Sequence, residues 1–397
     1  MRNSPMKARA TGSLGCSGYG GRMLVLRLAR GGALPLRAGV LVVLAALVWS
    51  SGGCGGSSSA TTFGPLPRDF VGLSAPGVLN DAPAGRRRGL DAIAATGTGV
   101  VRQTFDWSLA ERRPGRYDLS SLDGVVADAA ARRLELLPVL FNPPAFRLSG
   151  SHPAAPNTSP PKDPAAMGRF AAVLVRRYGP RGTLWREHPR LPRVPIRDWQ
   201  VWNEPNLPAY WGGHPDAAAY VRLLRAVGRA IKVADPSAEV VAAGLPNSRI
   251  GVPFEAYARA MFRAGAASAL DVFALHPYAV DAAGVLGAVQ KARALLDSQG
   301  ETRARIWVTE LGWASGGPAS AFTVGEQGQA ERIRTTFKEL AARRRQLGVR
   351  GIVYFQWRDA PPPPGLGDFF GYHTGLLAAD GRRKPAYAAF TAATGAR

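Results

Sequence analysis

From Phe70 onward, short apolar runs alternate with longer segments in which apolar residues recur at the helical period. The apolar runs lack the strict alternation of a half-exposed strand, which is typical of strands buried on both faces of a parallel sheet. Eight such runs follow one another and predict eight strands, at residues 70–75, 99–105, 134–141, 196–203, 238–245, 270–277, 304–311 and 350–357.

Segments with the helical period separate these strands, and the eighth segment follows the last strand. They lie at residues 85–96, 119–132, 163–178, 215–234, 253–264, 283–298, 325–347 and 384–394. Strict alternation of strand and helix predicts a parallel sheet, and eight units in one domain predict a closed (β/α)8 barrel, the TIM-barrel fold. The alternative is an open doubly wound sheet, which usually carries a Gly-rich phosphate turn after its first strand. The sequence at that point, PGVLNDAPAG, does not fit such a turn.

The chain before the predicted barrel has a different pattern. Residues 39–50, GVLVVLAALVWS, form a continuous apolar run that is shorter than the roughly 20 residues of a membrane span. Basic residues precede this run and small residues follow it, which predicts an export signal that starts at Met1 or at Met23. We therefore predict an export segment over residues 1–54, a flexible Gly/Ser linker over 55–66 and a catalytic barrel over 67–397.

Cys54 follows the apolar run and precedes the Gly/Ser tether. This arrangement resembles a bacterial lipoprotein cleavage site, which implies a lipid on Cys54 and attachment to a membrane. An ordinary cleaved signal is the alternative, and both predict an exported protein, at the cell surface or outside the cell. Cys16 is the only other cysteine, so the predicted barrel contains no disulfide.

The formal net charge of the chain is +22. Such a charge favours non-specific association with nucleic acid, anionic lipid or an acidic polymer. The sequence contains no zinc-finger spacing, no aromatic RNA-binding signature and no long run of lysine and arginine. We therefore expect no nucleic-acid partner.

Two glutamates stand where a parallel barrel places its reactive groups. Glu204 follows the fourth predicted strand in QVWNEPNLPAYW, and Glu310 ends the seventh in IWVTELGWAS. Since the carboxyl ends of all strands meet at one face of the barrel, we expect the two carboxylates to face each other. Facing carboxylates suggest glycoside hydrolysis, and a separation of about 5 Å gives retention of configuration. Like charges in one site also raise each other's pKa, so one carboxyl can be protonated while the other is ionised.

The motifs WNEPN and TELGW resemble those of clan A glycoside hydrolases, which include family 5 cellulase-like enzymes and family 39 xylosidase- and iduronidase-like enzymes. The resemblance covers residues 68–392. It implies Glu204 as the acid/base, Glu310 as the nucleophile and Asn203 as a hydrogen-bond partner of the sugar 2-hydroxyl.

Other predicted substrate-site residues fit the same template. Arg102 resembles the clan's arginine beside the nucleophile, and its charge would hold Glu310 ionised. In LHPY, the hydroxyl of Tyr278 would donate to the nucleophile and His276 would line the adjacent subsite. Trp357, at the end of the eighth strand, would be a platform on which a sugar stacks. Weaker candidates for the cleft are Trp107, Asn142, Trp211 and Trp313.

Other hydrolase chemistries find less support in the sequence. A metal-dependent hydrolase needs clustered ligands, but His276 alone of five histidines ends a predicted strand, and no zinc-type spacing occurs. A Ser-His-Asp hydrolase would need a G-x-S-x-G turn, which is absent. We therefore predict a monomeric retaining glycoside hydrolase of oligo- or polysaccharides, with no cofactor and no metal. The alternative from another class is a surface carbohydrate-binding protein that lacks turnover; sugar, linkage and endo or exo action stay open.

Overall fold

The computed structural model describes residues 66–150, 158–362 and 367–395. These residues belong to one compact unit, Thr61–Arg397. The predicted export segment and almost all of the predicted linker, with Cys54, lie outside the described residues. Within the described part of the chain, no helix is both long enough and apolar enough to cross a membrane.

The strands of the described residues form one closed parallel sheet. Its order is β5-β4-β3-β2-β1-β9-β8-β7-β6, and the pairing of Val241 with Val272 closes it. The strands are β1 (Val71–Ser74), β2 (Val100–Asp106), β3 (Glu135–Phe141), β4 (Asp198–Val201), β5 (Glu239–Val241), β6 (Leu245–Pro246), β7 (Val272–His276), β8 (Arg305–Leu311) and β9 (Val349–Phe355).

β5 and β6 are two parts of one barrel position, because both pair with β7. The sequence predicts a single strand over 238–245, and the structure interrupts it at residues 242–244. The interruption lies beside the ring of His276, since a Cβ on Gly244 would stand 2.0 Å from Nε2 of that ring. With β5 and β6 counted as one, eight positions close the sheet, which confirms the predicted (β/α)8 barrel.

The eight predicted helices are present, and three short helices were not predicted. The helices are α1 (Pro76–Asn80), α2 (Pro83–Ala94), α3 (Trp107–Ala110), α4 (Ser120–Ala130), α5 (Pro164–Tyr178), α6 (Thr183–Glu187), α7 (Ala217–Ala234), α8 (Phe254–Arg263), α9 (Ala282–Ser298), α10 (Gly325–Leu347) and α11 (Pro385–Thr394). Side chains of Asp163, Asp216 and Asp281 accept backbone N–H groups at the starts of α5, α7 and α9. The unpredicted α1, α3 and α6 are too short to show a helical period.

Two apolar clusters hold the barrel together. A large cluster packs the outer face of the sheet against the helices. A small cluster of residues from six strands fills the interior: Val100, Leu137, Val241, Val272, Ala274, Trp307 and Val353. Side chains alternate along a strand, so Arg102 on β2 and Thr309 on β8 continue on the same inward side as Val100 and Trp307. A polar layer therefore begins directly above the inner cluster, toward the carboxyl ends of the strands.

The amino end of the barrel carries a partly buried charge cluster. Arg350 of β9 donates to Asp69 at 2.8 Å and to Asp198 at 2.7 Å. Its guanidinium also lies 4.2 Å from the centroid of the Trp307 ring. Burial raises the pKa of Asp198 to about 7; the charge of Arg350 opposes the rise and Glu239 adds to it.

Candidate active site

Glu204 and Glu310 meet at the carboxyl-end face of the barrel. Glu310 is the last residue but one of β8, and Glu204 lies three residues beyond β4. Trp202 and Glu204 have φ values of 75° and 45°, so the chain turns sharply after β4. One carboxylate oxygen from each glutamate and a ring nitrogen of His276 all lie within 4.8 Å of one another. The structure thus brings together the two carboxyl groups that the sequence places on separate strands.

Arg102 links Glu310 to its surroundings. Its guanidinium donates to Oε1 of Glu310 at 2.5 Å, to Oδ1 of Asn203 at 2.9 Å and to Oε1 of Gln200 at 2.8 Å. The arginine therefore lies beside Glu310, as predicted, and fixes its orientation. Because the carbonyl end of the Asn203 amide faces Arg102, its N–H end points away from the arginine.

Tyr278 hydrogen-bonds to Glu310, and His276 hydrogen-bonds to Glu204. The hydroxyl of Tyr278 donates to Oε2 of Glu310 at 3.0 Å. Nδ1 of His276 lies 2.7 Å from Oε1 of Glu204, and its Nε2 lies 3.1 Å from Oγ1 of Thr309. The expectation that His276 lines a subsite is not met, because its side chain is 0% exposed. His276 instead supports Glu204 from within the barrel.

The surroundings shift the pKa values of the two carboxyl groups in opposite directions. Burial raises the pKa of Glu204 above its usual range; the hydrogen bond and charge of His276 offset part of this rise, and the charge of Glu310 adds to it. Burial acts on Glu310 in the same direction. The charges of His276 and Arg102 and the hydrogen bonds from Tyr278 and Arg102 outweigh it, and the pKa of Glu310 is lowered. Between the two pKa values, Glu204 holds a proton and Glu310 is ionised.

Two polar residues that sequence reasoning missed support this arrangement. Nε2 of Gln200 donates to Oγ1 of Thr309 at 3.2 Å and to the backbone oxygen of Ala242 at 3.1 Å. Gln200 therefore connects Arg102 to Thr309, and Thr309 connects to His276. Each missed residue is a polar position within a predicted buried strand, in DWQVW and IWVTEL, and that signal could have identified them.

Aromatic rings from two loops pack beside Tyr278. Its ring centroid lies 5.7 Å from that of Phe370 and 6.3 Å from that of Phe322, and the two phenylalanines are 4.7 Å apart. Phe370 belongs to the loop after β9, and Phe322 belongs to the loop after β8. This cluster was also missed, although the run DFFGY in the loop after β9 marks it.

Trp357 lies two residues beyond β9 and lines a cavity of about 530 Å³, together with Gln356 and Tyr372. Its ring packs against Tyr387 of α11, with centroids 6.2 Å apart, and the residue is 5% exposed. The platform role of Trp357 stays a prediction.

The weaker cleft candidates separate into two groups. Trp107 and Trp313 are at most 1% exposed and Trp211 is 4% exposed, and all three belong to the large apolar cluster. Their size and apolar character serve packing, so the expectation that they line the cleft is not met. Asn142 instead lines a second cavity, where its Nδ2 donates to Oδ2 of Asp106 at 2.8 Å.

Glu204, His276 and Glu310 also form the group of described residues whose donor atoms are close enough to hold a metal ion. The cation of Arg102, 2.5 Å from Glu310, already occupies one side of that carboxylate. A metal ion at the same place would meet this positive charge at close range. The arrangement therefore suits a pair of carboxyl groups with different protonation better than a cation site.

No protein-family model matches this chain, and no curated protein matches it in sequence. Solved structures match its fold. A family 39 glycoside hydrolase from the gut symbiont Bacteroides cellulosilyticus WH2 aligns with a TM-score of 0.60 and 21% identity, over 83% of this chain and 63% of that one. The GH39 enzyme from Xanthomonas axonopodis pv. citri aligns with a TM-score of 0.62 and 24% identity, over 82% of this chain and 66% of that one.

A GH39 β-xylosidase from Caulobacter crescentus aligns with a TM-score of 0.61 and 22% identity, over 83% of this chain and 72% of that one. This chain spans less than two thirds of the length of the first two of these structures. At such identities the likeness concerns the fold, and it agrees with the (β/α)8 barrel that the sequence predicts.

Proposed function

We propose that this protein is a retaining glycoside hydrolase that cleaves O-glycosidic bonds of an oligo- or polysaccharide, as a monomer and without a cofactor. The observation that carries the proposal is the buried pair of Glu204 and Glu310, with oxygens within 4.8 Å and pKa values shifted in opposite directions. Retaining enzymes hold their two carboxyl groups about 5–5.5 Å apart, which suits direct attack on the sugar. The fold likeness to family 39 glycoside hydrolases supports the proposal.

In the first step Glu204 donates its proton to the glycosidic oxygen while Glu310 attacks the anomeric carbon. The bond between that carbon and the oxygen breaks, and an ester to Glu310 forms. Arg102 donates to Oε1 of Glu310 and Tyr278 donates to Oε2, and both keep Glu310 ionised before attack. The N–H end of Asn203, which points away from Arg102, donates to the sugar 2-hydroxyl.

In the second step Glu204, now a carboxylate, takes a proton from water as the water oxygen attacks the anomeric carbon. The ester bond breaks, Glu310 leaves as a carboxylate, and Glu204 is protonated again. His276, 2.7 Å from Glu204, stabilises the carboxylate form that this step needs. Two displacements at one carbon return the original configuration.

The first test is release of nitrophenol from a panel of aryl glycosides with xylose, glucose, galactose and mannose. We expect release from at least one of them, and a loss on the order of 10⁴-fold in kcat for Glu310→Ala, because removal of a nucleophile leaves only binding and orientation. Glu331→Ala, on the long helix α10, is a matched control for loss of a carboxylate. Sugar binding without release of nitrophenol from any glycoside of the panel would contradict an enzymatic function and indicate a carbohydrate-binding protein.

We also propose that the protein is exported. The basic flank, the apolar run 39–50 and the cysteine that follows it support this proposal. Labelling of bacterial cells with tritiated palmitate tests the two forms of the signal. A lipoprotein takes up label that Cys54→Ala abolishes and Cys16→Ala retains, whereas a simple cleaved signal takes up none.

A further inference from the structure

A second cavity lies at the carboxyl ends of β2 and β3. It measures ≈ 430 Å³, and α1, α3, α4, the end of β2 and Asn142 line it. This volume falls within the range of about 300–1,000 Å³ that small-molecule sites occupy. Through the ends of these two strands, the cavity lies at the carboxyl-end face of the barrel, as Glu204 and Glu310 do.

Amide groups line this cavity, and the oxygen of one of them lacks a hydrogen-bond partner among the described residues. Gln103 is 7% exposed, and its Nε2 donates to Oδ1 of Asn80 at the long distance of 3.3 Å. Its Oε1 is buried and has no hydrogen-bond partner among the described residues. Buried polar atoms are normally hydrogen-bonded, so Oε1 of Gln103 is an unused acceptor beside the cavity. Asn142 and Asp106, joined at 2.8 Å, add polar groups beside it.

Apolar side chains share the lining with these amides. Leu109 of α3 is 63% exposed, although it is a large apolar residue, and it lines the cavity together with Leu79 and Leu122. A sugar ring presents hydroxyl groups at its edge and C–H groups on its faces. Amides beside exposed leucine match both surfaces of such a ring.

The charges of the lining favour a neutral sugar. Asp81, Asp106 and Asp118 line the cavity, and Arg86 is the basic residue among the described lining residues. Nε of Arg86 already donates to Asp128 at 2.8 Å. An acidic sugar would therefore meet like charges, which disfavours its binding.

This cavity continues toward the one that Trp357 lines. Both cavities share Pro76 and Asn80, so they lie on either side of α1. Together they extend along the rim over β9, β1, β2 and β3. We propose that the cavity at Gln103 and Asn142 is a subsite for a further sugar unit, and that the substrate is a neutral oligosaccharide. This inference rests on the proposed glycosidase function.

The test is a chain-length series of 4-nitrophenyl β-glycosides with one, two and three units of xylose, glucose or mannose. In the wild-type protein we expect kcat/KM to rise about tenfold with length. Gln103→Ala and Asn142→Gly should reduce this gain about fivefold, because each removes a hydrogen bond to the added unit. Glycine suits position 142 because its φ is 54°. Gln299→Ala, exposed at the end of α9, is the matched control and should keep the full gain.

Binding provides a second measurement that does not need turnover. Calorimetry with xylotriose, cellotriose and mannotriose on Glu310→Gln should give an affinity that falls about fivefold when Gln103→Ala is added. If wild-type kcat/KM does not rise with chain length, or if Glu310→Gln binds equally well with and without Gln103→Ala, the subsite proposal is wrong. Neither result contradicts the proposed glycosidase function. No hydrolysis of any glycoside of the series by the wild-type protein would overturn the proposed function itself.

Discussion

At the scale of single residues, the site depends on how two buried carboxyl groups are surrounded. The two glutamates lie close together, yet the guanidinium of Arg102 and the hydroxyl of Tyr278 hydrogen-bond to Glu310 and not to Glu204. His276 hydrogen-bonds to Glu204. Since burial raises both pKa values, the positive and hydrogen-bonding neighbours of Glu310 decide which carboxyl group is ionised.

We therefore predict that Arg102→Leu raises the pKa of Glu310. The nucleophile must be ionised, so activity is lost as pH falls through its pKa, and a raised pKa moves this acid limb to higher pH. The measurement is the pH dependence of kcat/KM on the best aryl glycoside. Arg343→Leu, on the surface of α10, is the control and should leave the limb in place. An unmoved acid limb in Arg102→Leu would contradict the role given to this arginine.

Strand ends and local motifs were enough to predict Glu204, Glu310, Arg102 and Tyr278 as neighbours. The chain from Arg102 through Gln200 and Thr309 to His276 could not be predicted, because it joins side chains of β2, β4, β8 and β7 across the barrel interior. Such contacts depend on the stagger of the strands around the barrel, and a single sequence does not determine that stagger. For the same reason the buried position of His276 was missed.

At the scale of elements, the interruption between β5 and β6 leaves room for the ring of His276. The break leaves Gly244 against the ring of His276, which in turn supports Glu204. The strands and the eight long helices could be predicted, because apolar runs and helical periods persist over many residues. The break could not, since AEVVAAGL reads as a continuous strand and only the opposing ring on β7 explains it.

Gly244→Ala should displace His276 and lower both stability and activity. The added Cβ would stand 2.0 Å from Nε2 of the ring, and overpacking of this kind costs about 1–3 kcal/mol. Thermal unfolding and kcat/KM measure the two effects. Gly287→Ala is the matched control, since the new Cβ meets nothing within 4 Å inside α9, and it should raise stability by about 0.5–1 kcal/mol. Equal behaviour of the two variants would contradict the close packing at Gly244.

At the scale of the whole molecule, the two ends of the barrel carry different charged groups. The carboxyl-end face holds Glu204 and Glu310, the proposed catalytic pair, and the amino end holds Arg350 with Asp69 and Asp198. This separation of a reactive face from a structural face is general for the fold. The amino-end cluster affects stability as the pH changes, because the pKa of Asp198 is about 7 in the folded protein and its ordinary value is 3.8.

Between pH 3.8 and about pH 7, Asp198 is protonated in the folded protein and ionised in the unfolded chain. The folded protein therefore binds more protons, and the free energy of unfolding falls as pH rises. Asp198→Asn removes this contribution. We predict that the free energy of unfolding of the variant, relative to that of wild type, rises by about 2 kcal/mol between about pH 4 and pH 8. The figure is below the full value for the pKa shift of Asp198 because Glu239 contributes to that shift. Urea unfolding at both pH values measures the difference. A variant with the same pH dependence as wild type would show that Asp198 is ionised at no cost.

The most direct test of the central claim is covalent trapping of the glycosyl-enzyme. A 2-deoxy-2-fluoro glycoside with an activated leaving group should form an ester that accumulates, because the fluorine slows both displacements. Mass spectrometry of the digested protein should then find the sugar on the peptide that contains Glu310, and no adduct should form with Glu310→Gln. Hydrolysis of the parent glycoside without any adduct, or an adduct on another residue, would contradict double displacement at Glu310.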